Sequence, residues 1–336
     1  MRLKRFVIGV ILLSLLVSAV AGCQSQFQPG TYTDDKGREV DIEKVPERIV
    51  SHVPGITEIL FALDLGDKVV GVSDYCDYPE EVESKYKVGA FWKPSIEKIV
   101  DLDADLVFTH GNDEQLIIQL DELGIACIVL QPADMDGVLR DIELVGKVTG
   151  AEKEAEKLVE DIEERMADVV SRVEGAPRPR VFYIIDATDL NHPWTAGPGS
   201  FIDSLITVAG GENIGAKAAA PWIQFSLEEV VSSDPEVIIV PTKHGSLFTA
   251  PEALKGHPTW QKITAVAQDR ISVIDDDFVS RYGPRVILGL EDDTGNSQFI
   301  KLNYKLLVVA MGENQVCVQV NNLFKRRFPK ITDLVF

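Results

Sequence analysis

Short apolar runs of strand length alternate with amphipathic segments of helix length along most of this chain, and that alternation leaves few folds open. The apolar runs fall at 48–53, 68–72, 105–110, 125–130, 180–185, 236–241 and 271–274. Between them the spacing predicts helices at 56–63, 95–102, 113–123, 136–149, 201–209 and 226–232. Strands spaced by helices in this way read as an α/β fold with mostly parallel sheets. Segment 151–174 breaks the rhythm. Its apolar residues Ala155, Leu158, Val159, Ile162, Met166, Val169, Val170 and Val173 recur every three or four positions, which predicts one long helix with a single buried stripe. Gly175, Pro177 and Pro179 end it.

An internal repeat points to two related lobes on either side of that helix. Residues 95–108 (SIEKIVDLDADLVF) align with 226–239 (SLEEVVSSDPEVII), with the apolar positions matching throughout. Ser95 and Ser226 are good N-caps, and Glu97 and Glu228 meet the positive end of each helix dipole. The chain therefore divides into 45–150 as a first α/β lobe, 151–175 as a connecting helix, and 176–291 as a second α/β lobe.

The ends of the chain differ from this body. Arg2, Lys4 and Arg5 precede an apolar run at 6–20, which has the length of a signal peptide and is short for a membrane span. Val20-Ala21-Gly22-Cys23 resembles a bacterial lipobox, which implies cleavage after residue 22 and lipidation of Cys23. Residues 23–44 read as a tether. Residues 292–336 carry six Lys/Arg against four Asp/Glu, a composition shift on an acidic chain, and read as an atypical extension.

Charge and cysteine usage exclude several functions. The formal net charge of −20 leaves no basic stripe to replace phosphate counterions, which argues against nucleic acid. Cys76, Cys127 and Cys317 fit no zinc spacing. Cys127 lies in an apolar run and reads as a buried small hydrophobe, with a Cys76–Cys127 disulfide left open. There is no phosphate-binding GxxxxGK[ST] loop, no GxSxG elbow and no HExxH, and the five histidines are scattered. Asp275, Asp276 and Asp277 read as consecutive strand residues whose side chains alternate faces. A chain without a nucleophile–base set reads as a binding protein; a lipid-anchored α/β enzyme is the less favoured alternative.

What the chain offers is aromatic side chains near strand ends: Tyr75, Phe91, Trp92, Trp194 and Trp222, with Phe225, Phe278 and Tyr282 nearby. Ligands of open α/β sheets sit beyond the carboxyl ends of the strands. Rings placed there provide flat apolar area, roughly 150–250 Å² each.

The segments SHVPGITE (51–58), GVSDYCDYP (71–79), GGENI (210–214) and IDDDFVSRYGPR (274–285) resemble the solute-binding proteins of cobalamin importers. These belong to the helix-backed class that also serves haem and metal–siderophore uptake, and the likeness runs from about residue 45 to 291. The resemblance implies two Rossmann-like lobes bridged by one long helix, with a corrinoid ligand held between them and no cofactor of the protein's own. It implies a monomer, tethered to the outer face of the cytoplasmic membrane by its lipid, delivering ligand to an ABC permease dimer with its ATPase subunits. Matched by position, Tyr75 and Phe91 face the corrin from the first lobe, with Trp92 beside Phe91 and His110 at a site often aromatic in the family. Trp194 and Trp222 face it from the second lobe, and Asp277 and Arg281 meet its amide fringe. Glu97 and Glu228 become docking contacts to the two permease halves. Arg281 and Arg285, with Lys243 as a weaker extra, are few cations for an anionic siderophore and enough for a neutral macrocycle. Haem is the closest competitor, with Tyr75 and His110 as axial candidates.

Overall fold

The computed structural model describes residues 27–90, 92–111, 114–243, 246–247 and 251–290. The expected signal segment, Cys23, Phe91 and the tail beyond residue 290 lie outside the described residues.

The first lobe opens with an antiparallel hairpin of β1 (Gly30–Thr33) and β2 (Glu39–Ile42), paired from Gly30↔Ile42 to Thr33↔Glu39. Next come β3 (Ile49–Ser51), helix α1 (Pro54–Ala62), β4 (Val69–Val72) and the short strands β5 (Tyr86–Lys87), β6 (Gly89–Ala90) and β7 (Lys93–Pro94). Helix α2 (Ile96–Asp101), β8 (Leu106–Thr109), α3 (Glu114–Glu122), β9 (Ala126–Val129) and α4 (Met135–Thr149) complete the lobe. Its parallel sheet runs β5-β4-β3-β8-β9. Helices start where the sequence supplies caps: Ser95 accepts from the Lys98 amide and Asp134 from the Gly137 amide. Gly150, at φ +75°, closes α4 in the left-handed conformation.

Helix α5 (Glu152–Val173) then crosses to the second lobe; 22 residues at about 1.5 Å each span about 33 Å. Ala155, Val159, Ile162 and Val169 of the expected stripe are buried, while Val170 is exposed. α4 packs against α5 closely enough that a Cβ on Gly146 would sit 2.4 Å from that of Ala155.

The second lobe contains β10 (Arg180–Asp186), β11 (Trp194–Ala196), α6 (Phe201–Val208), β12 (Glu212–Asn213), β13 (Trp222–Gln224) and α7 (Leu227–Ser233). It continues with β14 (Val237–Lys243), β15 (Ser246–Leu247), α8 (Pro251–Gly256), α9 (Thr264–Ala267), β16 (Ile271–Asp275), α10 (Asp277–Ser280) and α11 (Val286–Leu290). β12, β10, β14 and β16 are parallel, and β11, β13 and β15 add antiparallel edges. One apolar core joins the lobes, running through Ile59 and Leu60 of α1, Val138 and Ile142 of α4, Val159 and Ile162 of α5, Leu205 of α6 and Leu290 of α11. Each lobe has a second core on its outer side.

The expected tether is corrected from residue 30 onward. Asp34, 5% exposed, accepts from the backbone amides of Lys36, Arg38 and Val129, and from the Arg38 guanidinium. Arg38 also donates to the Cys127 carbonyl at 2.6 Å, so the hairpin is bonded to β9 and belongs to the first lobe. The Cys76–Cys127 disulfide is corrected too: both are free and buried. Cys76 follows β4 and Cys127 lies in β9, three strand spacings apart at about 4.8 Å each, beyond disulfide reach.

Candidate functional site

The clearest surface for a flat ligand is built by two short strands of the second lobe. β11 pairs with the carboxyl end of β10 through Ile184↔Thr195 and Asp186↔Trp194. β13 pairs with β11 so that Trp194 opposes Gln224 and Ala196 opposes Trp222. Directly opposed residues share a face, and Trp222 lies two residues from Gln224, so both tryptophans project from the same face as diagonal neighbours. They are 41% and 47% exposed. Between them Thr195 points the other way, fully buried, and donates to the Tyr183 carbonyl at 2.7 Å. The sequence placed both near strand ends; the β11–β13 ladder fixes them on one face.

The first lobe presents aromatics from loops instead. Tyr75 follows β4, Trp92 lies between β6 and β7, and their ring centroids are 5.1 Å apart at 51°. Trp92 is 61% exposed. Buried His52 supports this loop: its Nε2 lies 3.2 Å from the Ala90 carbonyl and its Nδ1 3.3 Å from Thr109 Oγ1. A carbonyl only accepts, so Nε2 carries the hydrogen. His110, at the carboxyl end of β8, is half-buried; burial, with nearby Lys36, pushes its pKa down and keeps the imidazole neutral at pH 7. Tyr75 and His110 follow the carboxyl ends of the parallel strands β4 and β8, and Trp194 opposes the carboxyl end of β10, whereas Trp92 stands in the antiparallel β6–β7 hairpin and Trp222 on the antiparallel edge strand β13.

Asp277 and Arg281 are brought together, but not as two free ligand contacts. β16 ends at Asp275 and turns into α10, so the expected face alternation across Asp275–Asp277 does not hold. Arg281 Nε lies 2.7 Å from Asp277 Oδ1, and its Nη1 and Nη2 donate to Asp77 of the first lobe, the latter at 3.0 Å. The Arg281 side chain is only 6% exposed, and its Nε, Nη1 and Nη2 each face a carboxylate. Arg285 donates to buried Glu58 of α1 at 2.9 and 2.6 Å and stacks 4.1 Å over the Tyr78 ring. The Arg281 guanidinium holds the Asp77 carboxyl below its usual range, whereas burial pushes Glu58 and Asp277 up. Beside these ion pairs the backbones of the lobes touch. A Cβ on Gly55 would meet the Tyr282 carbonyl oxygen at 2.7 Å, and one on Gly283 the Gly55 carbonyl oxygen at 2.7 Å. Glu58, Asp77 and Tyr78 were missed by sequence reasoning because their partners lie more than 200 residues away.

Glu97 and Glu228 are exposed, one per lobe, in the first turns of α2 and α7. Val100 and Val231, equivalent in the repeat, are also exposed, at 41% and 37%. The second-lobe helix is more firmly capped, by a reciprocal Ser226–Glu229 box. A groove of about 570 Å³ lies beside Glu228, lined by Asn191, His192, Leu227, Val231 and Thr259. Among the described residues, no group of three or more His, Cys, Asp or Glu side chains converges as a metal site. No helix among them is long and apolar enough to cross a membrane.

Comparison with known proteins agrees with this architecture. The periplasmic binding protein family matches residues 49–278. An uncharacterized ABC transporter substrate-binding lipoprotein of Bacillus subtilis is 32% identical over 300 residues, covering 83% of this chain and 93% of its own. The crystal structure of the periplasmic vitamin B12-binding protein of Vibrio cholerae superposes with a TM-score of 0.65 at 28% identity, covering 77% of this chain and 98% of its own. A periplasmic heme-binding protein from Roseiflexus, in apo form, gives 0.67 at 28%, covering 76% and 99%. These relatives are named as binding proteins, not enzymes.

Proposed function

The chain belongs to the periplasmic binding protein family, and from that premise we propose that it is the extracytoplasmic substrate-binding lipoprotein of an ABC importer for cobalamin or a related corrinoid. The observation that carries this reading is the pairing of exposed rings with neutralised arginines. Trp194, Trp222 and Trp92 present exposed flat apolar surface and Tyr75 meets Trp92, while Arg281 and Arg285 are held by Glu58, Asp77 and Asp277. Such a site suits a large, net-neutral macrocycle with an amide rim. The side chains of Asp77, 54% exposed, and Asp277, 26% exposed, keep carboxylate lone pairs beyond their bonds to Arg281 that could accept its amide hydrogens. The names of the Vibrio and Bacillus proteins support the same reading.

Delivery follows from the exposed repeat positions. Glu97 with Val100 and Glu228 with Val231 form matched acidic and apolar spots, one for each half of a permease dimer presenting cations. The basic and apolar N-terminal segments and the Val20-Ala21-Gly22-Cys23 motif support lipid anchoring at Cys23. Haem is the second reading, favoured by neutral His110 and by the Roseiflexus likeness.

Calorimetric titration with cyanocobalamin, haemin and a ferric hydroxamate tests the ligand. Sub-micromolar binding of cyanocobalamin alone is expected; a haemin complex with a shifted Soret band and no cobalamin binding transfers the assignment to haem. Glu97→Ala with Glu228→Ala is expected to leave the dissociation constant unchanged and to abolish uptake by the reconstituted importer.

A further inference from the structure

Arg281 bonds across the two lobes, and its side chain is screened from solvent. Its two edges are occupied separately: Asp277 takes Nε, while Asp77 takes Nη1 and Nη2 in a two-pronged bond from the other lobe. Glu58 stands 3.7 Å from Nη1 on the buried side. The Asp77 side chain is 54% exposed and that of Arg281 6%, so Asp77 is the outermost member of the pair. Asp77 lies two residues from Tyr75, whose ring meets Trp92.

We propose that Asp77 is a specificity-determining residue that excludes anionic ligands by capping the outward edge of Arg281. This rests on the cleft being the ligand site but not on which ligand fills it. Without Asp77, two guanidinium nitrogens lose their acceptor at the cleft edge. A planar fork of this kind takes up a carboxylate or phosphate in two parallel bonds. With Asp77 in place, three carboxylates face Arg281 and Arg285 together, and a ligand anion meets net negative charge. The depressed pKa of Asp77 keeps the cap ionised throughout the neutral range.

Asp77→Asn removes the charge and keeps the shape. Asp74→Asn is the control: it removes an exposed carboxylate from the same loop, whose backbone amide bonds the Gly89 carbonyl. The first probe is inorganic phosphate at constant ionic strength, read as a dissociation constant by NMR titration. Asp77→Asn is expected to bind phosphate about tenfold more tightly than wild type or Asp74→Asn, the size of a charge-assisted pair at a partly exposed site. The ratio of haemin to cyanocobalamin affinity is expected to rise by a similar factor in Asp77→Asn alone. Equal phosphate binding by Asp77→Asn and Asp74→Asn overturns the proposal, whichever macrocycle the wild type prefers. A wild type that binds haemin and not cobalamin overturns the corrinoid reading, while the phosphate ratio still decides the role of Asp77.

Discussion

The two aromatic surfaces proposed as walls of the ligand site are made differently. The second-lobe wall is a ladder: Trp194 and Trp222 stand on β11 and β13, whose backbone hydrogen bonds fix their spacing and common face. The first-lobe wall is a pair of loops, with Tyr75 and Trp92 in ring contact and His52 bonded to the Ala90 carbonyl behind them. A preorganised wall gives up less conformational entropy on binding, so the proposed function predicts that the second lobe carries more of the affinity and that the first adapts to the ligand. The repeat shows the same inequality, with a full capping box at Ser226 and only the Lys98 amide bond at Ser95.

Three substitutions break or sharpen this contrast. Trp222→Ala has the largest effect: covering the exposed half of an indole of about 200 Å², at about 25 cal/mol/Å², contributes about 2.5 kcal/mol. Calorimetry is expected to read a loss of affinity of about fiftyfold or more. Gly55→Ala touches neither wall but wedges a methyl against the Tyr282 backbone at the joint between them. It is expected to lower stability by about 2 kcal/mol in urea unfolding and to weaken binding with both walls intact. Trp92→Ala removes the most exposed ring, held by a loop, and is expected to cost about 1 kcal/mol in binding; a loss equal to that of Trp222→Ala would erase the contrast.

Asp141→Asn should change pH dependence and leave affinity unaltered. Burial, with the Asp35 carboxylate beside it, pushes Asp141 up to about 8. Its folded pKa lies above the unfolded value of about 3.9, so the native state holds a proton that the unfolded chain lacks through the window between them. Wild-type stability therefore falls as pH rises through that window, and Asp141→Asn should flatten the fall in urea midpoints measured from pH 5 to 8.5.

The parallel strands were legible almost to the residue, because strands buried on both faces are continuous apolar runs. The run at 68–72 became Val69–Val72 and that at 180–185 became Arg180–Asp186. The hairpin was hidden because its strands are mostly exposed and polar, and its anchorage to β9 runs through polar groups of the turn region, Asp34, Asp35 and Arg38. The Asp34-Asp35-Lys36-Gly37 turn was the signal available. Asp277 and Arg281 were visible as an i,i+4 pair, but their partners Asp77 and Glu58 come from the other lobe, and no local pattern announces a contact across two domains.

A crystal structure with cyanocobalamin bound tests the central claim most directly. The corrin is expected to lie against Trp194 and Trp222, with Tyr75 and Trp92 closing over its other side and the Asp77–Arg281 pair intact at its amide rim. A ligand seated away from the β11–β13 ribbon, or one whose polar groups have displaced Asp77 from Arg281, would contradict it.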